Sequence, residues 1–518
     1  MEIDIRAARR LRESAGAQAA VAPLVEALCR SDADLGTLRV VCDWIQYRAN
    51  FRDTVMVRPV ISADAPVPSS VEGYELAVDL RRCAQPETDV AAEVTAALAE
   101  AIYPAAGADG GAGGAGAGGA GAVGPGAGSL GGGLADRAWL EPWVPGSGSC
   151  VWRFNALYWQ ALAAWEKVTG KEYEQSLPGG ESDARNRAGA REVILDLFSC
   201  WDELASRRAL PEELYVIELG VGNGGQARTW LDEFTELDRR HGRDYYRRLR
   251  YLMGDYSARV LDRARQEVAH HGDHVSGLVL EATRLSGSVG FLAGKAFLFY
   301  ISNVYDNLPS DEVAVIRGRM YLVQVRSYLS GPAADAIAGR FGLQRAELAQ
   351  LTERLLRIGP ELLAESQPDK FSDTGQAVLF WRDVWQELRQ AERYVPLEGL
   401  DTYQITPAVT GEILRPLLAA EGDVRMHVSN GALSSFADTL PLLHPFGRIV
   451  CHDLFTTAHA DYRAGFFGPG KYDGSVVNWV NGPLLQLLAS RRGFDARFSP
   501  FTARPASNVK TLTVQVRD

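Results

Sequence analysis

The chain has 518 residues, of which 46% are hydrophobic and 23% charged. That is longer than one hydrophobic core usually serves, so about two or three folded domains are expected, and disorder as the default state is excluded. A formal charge of -11 sets the chain apart from proteins that wrap nucleic acid, which turn a positive face to phosphate.

The first residues, MEIDIRAARRLRE, lack the apolar run of a signal peptide. No stretch of roughly 18 to 20 apolar residues is present to span a bilayer, so a cytoplasmic protein without a membrane partner is expected. Its six cysteines are scattered without the paired spacing of tetrahedral zinc sites and read as reduced thiols.

Residues 1–106 predict a small α+β domain: a helical pattern through 9–30, extended segments near 38–45 and 74–79, and an alanine-rich helix over 90–102. It shows no motif of chemistry, which leaves substrate selection, dimerisation (hence a homodimer) and scaffolding open. Residues 107–134, almost wholly glycine and alanine, bury too little side chain to offset the ordering of their backbone and are expected to form a flexible linker.

A helical lead-in over 135–210 follows. It has an aromatic helix at 151–168 carrying Trp152, Trp159 and Trp165, read as core residues, and a second helix near 187–206. From Tyr215 the rhythm becomes strand, glycine turn, helix, strand, the alternation of βαβ units and a parallel sheet. Strands are expected at 215–219, 250–254, 277–281, 296–301, 448–452, 494–499 and 511–516. They fit a doubly wound, seven-stranded Rossmann-like α/β sheet with an antiparallel last hairpin, the core spanning 211–518. A helical insertion or lid is expected at about 317–423, with helices near 345–358 and 377–393.

The segment VIELGVGNGG, 216–225, runs an apolar strand into Gly220, Gly222, Gly224 and Gly225, with Asn223 among them. Glycine is needed where backbone turns sharply and a ligand approaches it closely, so this loop is a cofactor cradle. Alone it also satisfies the dinucleotide fingerprint of a nicotinamide oxidoreductase. Two acids separate the readings. Glu218 places a carboxylate at the floor of the site, where it suits a cationic amino-acid portion and repels a pyrophosphate. Asp255, ending the next strand in MGDYS, lies well beyond the roughly 20-residue spacing of a nicotinamide enzyme's ribose acid, yet still suits the hydroxyls of a ribose.

The order ELGVGNGG, then LMGDYS, then an apolar strand ending in a polar residue resembles the first three motifs of class I S-adenosylmethionine-dependent methyltransferases. The resemblance implies S-adenosyl-L-methionine as cofactor. Gly220, Gly222, Asn223 and Gly224 would pass under its methionine portion, Glu218 would face its amino group, and Asp255 with Tyr256 would hold the ribose. Glu281, Ala282 and Thr283 would lie beside the adenine, with Ser302 closing the set.

The segment FYISNVYDNLPSDE, 299–312, is also similar to the asparagine–glutamate…aspartate–alanine–leucine–proline segment of the MidA-like methyltransferases, the family of the mitochondrial complex I assembly methyltransferase that modifies a protein arginine. Asp306, Leu308 and Pro309 match it, while Ser302 and Asn303 stand where the family has asparagine and glutamate. FGRIVCHDLF, 446–455, resembles the strand ending in that family's aspartate–tyrosine–glycine, Asp453 matching and Leu454 departing.

Methyl transfer is an in-line displacement in which the protein chiefly positions the acceptor and, where that atom keeps a proton, supplies a base. Asn303, Tyr305 and Asp306 follow the fourth strand, where such an enzyme meets its acceptor; turn capping by Asp306 is the other reading. His452 and Asp453, near His459 and Asp461, read as a base or a loop hydrogen bond, without metal-ligand spacing. The stretch 465–474, GFFGPGKYDG, is expected as a mobile loop over the site, or else as a surface turn.

The expected function is transfer of a methyl group to nitrogen or oxygen on a protein side chain or a small metabolite. A non-catalytic assembly factor on the same fold is the alternative, and a nicotinamide oxidoreductase a more distant one.

Overall fold

A computed structural model of the chain describes residues 1–6, 15–31, 35–45, 47, 49–61, 73–102, 136–170, 187–419, 422–464, 467–501 and 507–517. The glycine–alanine stretch expected as a linker at 107–134 lies outside the described residues, as do 465 and 466 of the expected loop.

The central element is a seven-stranded sheet. Its strands are β1 (Leu214–Leu219), β2 (Leu249–Asp255), β3 (Val275–Val279), β4 (Ala296–Ser302), β5 (Leu443–Asp453), β6 (Phe494–Pro500) and β7 (Lys510–Val516). Across the sheet the order is β6-β7-β5-β4-β1-β2-β3. β7 runs antiparallel to both its neighbours, while β3, β2, β1, β4 and β5 run parallel to one another. The interior strands are apolar on both sides because helices cover both faces, as burial of a parallel sheet requires.

Those helices are α3 (Arg187–Ser206) and α4 (Gly225–Arg240) on one face, and α5 (Asn430–Thr439) and α6 (Gly482–Arg491) on the other; α1 (Cys150–Gln160) and α2 (Leu162–Thr169) precede them. Val216, Tyr251, Met253, Leu298 and Tyr300 pack toward Trp201 of α3 and Trp230 and Phe234 of α4. Their strand neighbours Ile217, Leu252, Phe299 and Ile301 pack toward Phe436 of α5 and Leu485 of α6. The period-two alternation of each strand is thus spent on two cores.

Between β4 and β5 the chain builds a second sheet. Strands Glu312–Ile316, Arg319–Ser330, Arg389–Pro396 and Val424–His427 pair antiparallel, and Arg137–Trp139 and Val144–Pro145 of the lead-in add to Arg319–Ser330. The insertion is therefore α+β rather than helical. Helices Gly331–Phe341, Leu348–Ser366 and Thr374–Glu387 are present, but the helix expected to reach 393 stops at Glu387. RQAERYVP, 389–396, consists largely of residues that suit a helix surface. It becomes a strand because tertiary pairing and an arginine cluster bury Gln390 and Glu392, an override that local propensity cannot show.

That cluster also fastens the N-terminal unit, a four-stranded sheet ordered Glu2–Arg6, Arg39–Asp43, Tyr74–Asp79, Val55–Pro59. Glu392 accepts ion pairs from Arg52 at 2.9 Å, Arg58 at 2.8 Å and Arg425 at 2.7 Å, all of them buried. Burial opposes ionisation of Glu392, yet Arg425, Arg52 and Arg58 together hold its carboxyl well below the usual range. No helix among the described residues is long and apolar enough to cross a membrane.

Candidate functional site

At the carboxyl edge of β1, β2 and β4 lies a cavity of about 350 Å³. Its floor is made by local rules. After Leu219 the chain turns through Gly220 at φ 77°, where any side chain would run into Val304. The turn is tied to the next strand by Asp255, whose Oδ2 accepts the Gly222 N–H at 3.2 Å and whose Oδ1 accepts the Ser257 N–H at 3.1 Å. Burial pushes the Asp255 carboxyl up, and the N–H groups of Ser257, Gly222 and Tyr256 act against that.

Glu218 lines the same cavity and is 3% exposed. Its Oε2 accepts the Tyr251 hydroxyl at 2.6 Å, and no cation pairs with it among the described residues. Burial pushes the carboxyl up to about 8, despite the Tyr251 hydrogen bond and aided by the charge of Asp255. An acid so placed holds its proton until a cation arrives, which makes it a receptor for positive charge.

Of the residues expected at the cofactor, Glu218, Gly220, Gly222, Asn223, Asp255, Tyr256, Glu281, Ala282, Thr283 and Ser302 all line the cavity. Residues 281–283 do so from the turn after β3, which ends at Val279, two residues earlier than expected. Gly224 is not among the lining residues. It caps α4 at φ 84°, and a Cβ there would stand 2.7 Å from Ala264 Cα, so it serves close helix packing.

Of the residues expected at the acceptor, Asn303 lines the cavity, and Tyr305, Asp306, His452 and Asp453 lie behind its wall. Asn303 adopts φ 52°, a left-handed conformation that asparagine tolerates, held by its N–H to the His452 carbonyl at 2.9 Å. Asp453 is fully buried and accepts the N–H groups of Val304, Tyr305 and Asp306 at 3.2, 2.8 and 3.4 Å. Burial raises its carboxyl to about 6. Asp306 is pushed well above the usual range by burial and by the charge of Asp453. His452 lies tilted against Phe501, pairs its Nδ1 with the Thr511 hydroxyl at 2.9 Å, and is lowered to about 4 by burial. These groups shape the wall from behind because β5 runs beside β4 and ends level with it.

Sequence reading missed the opposite wall. Trp152, Asn155, Ala156 and Trp159 of α1, with Leu162 and Glu166 of α2, line the cavity, as do Gln226 of α4 and Asn307. A signal was present: 152, 155, 156 and 159 share one face of a helix. Trp165 points elsewhere, 4.6 Å from Trp381 between ring centroids and donating to Asp473 at 2.9 Å. Asp473 belongs to the stretch expected as a mobile loop over the site or else a surface turn. Its residues Gly470–Tyr472 pair with Ser475–Val477 in a hairpin packed against α1, with exposed Asp473 in the turn.

No family model and no curated protein matches the chain. Among solved structures it is similar to a Burkholderia thailandensis protein bound to S-adenosyl-homocysteine, at 12% identity and TM-score 0.43, covering 72% of this chain and 88% of that one. The CcbJ methyltransferase from Streptomyces caelestis follows at 10% identity and TM-score 0.29, covering 70% and 99%. The 1,6-didemethyltoxoflavin-N1-methyltransferase of Burkholderia thailandensis, with 1,6-didemethyltoxoflavin and S-adenosyl-homocysteine bound, stands at 9% and 0.29, covering 72% and 91%.

Proposed function

We propose that the chain is an S-adenosylmethionine-dependent methyltransferase of class I topology that methylates nitrogen or oxygen on a small molecule or a protein side chain. The observation that carries this reading is the placement of two acids, Glu218 and Asp255, on one cavity with the glycine turn between them.

The donor set fits the cofactor. Glu218, buried without a counter-charge, suits the ammonium of the methionine portion, whose approach would draw off its proton. Asp255 keeps acceptor capacity beyond its backbone hydrogen bonds and suits vicinal hydroxyls. Glu281, Ala282 and Thr283 give the far end a mixed apolar and polar edge for a base. When bound, the cofactor supplies an electrophilic methyl group on a sulfonium. The chain's own share is to orient, exclude water and fix the acceptor's lone pair, which Asn303, Ser302 and the α1 wall are placed to do.

Calorimetric titration with S-adenosyl-homocysteine tests the reading. Micromolar or tighter binding that Asp255→Ala weakens at least about tenfold is expected. Absence of binding to the parent protein sinks it.

A further inference from the structure

Away from the cavity, α4 and the segment following helix Ala258–Glu267 bring three metal-ligating side chains together. Asp232 stands about two turns into α4, and His270 and His271 lie in the short turn Ala269–His274. One carboxylate oxygen and two imidazole nitrogens of these residues all lie within 4.8 Å of one another. Nε2 of His270 and Nε2 of His271 meet the same atom, Asp232 Oδ1, at 2.9 and 3.2 Å. Two ligands on one tetrahedral zinc, each bonded at about 2.0 Å, stand about 3.3 Å apart. Both separations from Oδ1 are therefore close to those an ion imposes.

A helix end asks only for one positive charge near its last carbonyls. Two rings whose centroids lie 4.1 Å apart repel each other when both are protonated, so the pair is poorly made for that task. Burial favours the neutral form of His271, although Asp232 acts against it. Neutral imidazole is the form that binds a metal.

The inner ligand is braced from behind. His271 is 5% exposed, and its Nδ1 lies 2.8 Å from the Tyr246 hydroxyl. With the ring's proton on Nε2 toward Asp232, Nδ1 accepts the Tyr246 O–H. When Nε2 takes an ion, the ring's proton sits on Nδ1 and the hydroxyl oxygen accepts it, so the contact survives the exchange. Tyr246 in turn packs against the ring of His274, 4.0 Å between centroids. Arg228, one turn earlier on that face of α4, is paired with Glu267 at 2.6 Å and does not compete for Asp232. The side chains of His270 and Asp232 are 54% and 40% exposed, which gives an ion its way in and a water the fourth position.

We propose that Asp232, His270 and His271 form a site for a divalent transition-metal ion, zinc by the chemistry of its ligands, that ties α4 to the segment after helix Ala258–Glu267. α4 begins at the glycine turn and the second helix just past Asp255, so the ion fixes the two helices against each other beyond the cofactor cavity.

The test is calorimetric titration of the EDTA-stripped, tag-free full chain with zinc chloride at neutral pH. One site of micromolar or tighter affinity is expected, weakened at least about tenfold by His270→Ala and about tenfold by Tyr246→Phe. His270 is exposed and Tyr246→Phe keeps the ring, so neither variant removes core packing. Zinc should also raise the thermal midpoint of the parent and leave that of His270→Ala where it was. Absence of zinc binding by the parent, or binding that His270→Ala leaves unchanged, overturns the inference.

Discussion

Asp453 accepts the backbone N–H of Tyr305 at 2.8 Å, so the end of β5 holds the turn that closes the cavity after β4. Its Oδ2 also faces the N–H groups of Val304 and Asp306, and its Oδ1 that of Leu454. Replacement by alanine orphans buried donors that each cost about 1 to 3 kcal/mol. Asp453→Ala is expected to lose about 3 kcal/mol or more in urea unfolding and to lower methyl transfer strongly. Unchanged stability would show that water replaces the carboxylate and that the turn is not built from β5.

The raised Glu218 carboxyl gives the ligand-free protein a pH signature. Folded, it keeps its proton up to about pH 8, whereas the unfolded chain releases it in the ordinary carboxylate range. The folded state thus binds the extra proton between those limits, and its stability falls as pH rises through that window. Glu218→Gln removes the dependence and should be the more stable apo protein at pH 8.

Binding of a cationic ligand beside Glu218 should expel that proton. Calorimetry of S-adenosylmethionine binding in buffers of different ionisation heat should show about one proton released per ligand at pH 7, shrinking as pH rises through about 8. No buffer dependence at pH 7 would place the ligand's cation elsewhere.

Gly224 separates packing from binding. Gly224→Ala puts a Cβ 2.7 Å from Ala264 Cα at a positive φ, so a loss of about 2 to 4 kcal/mol in thermal or urea unfolding is expected. Thermal unfolding with and without S-adenosyl-homocysteine should show the variant shifted down in both cases by a similar amount.

Glu392 is the shared partner of buried Arg52, Arg58 and Arg425. Glu392→Gln leaves Arg52, Arg58 and Arg425 only their second acids, Asp43, Glu75 and Glu312, and a cost of about 1.5 to 3 kcal/mol is expected. Limited proteolysis should then cut first at the N-terminal sheet, since that cluster joins it to the insertion. A cut elsewhere, with the N-terminal sheet intact, would show that apolar packing alone holds it.

Much of the central sheet was legible because its strands are short apolar runs bounded by turn residues. Strands read at 215–219, 296–301 and 494–499 differ from the observed ones by a residue or so at an end. The second sheet was not legible: RQAERYVP carries helix-suited residues, and its strand exists only through partners far away in sequence. Glu218 and Asp255 could be singled out because each ends or nearly ends a strand beside the glycine turn, and parallel strands bring such ends together by topology. Asp306 and Asp453 drew notice as acids after strands, but their burial depends on what packs behind β4 and β5.

The amino-acid sequence by itself determined the glycine turn, the acids flanking it and the strand order's raw material, because these are set by local backbone needs and by patterning within a few residues. Only the tertiary structure decided that α1 brings Trp152 and Trp159 to the wall of the cavity and that Gly224 packs against Ala264. Those facts depend on side chains distant in sequence excluding water from one another, and no local pattern encodes which pairs will meet.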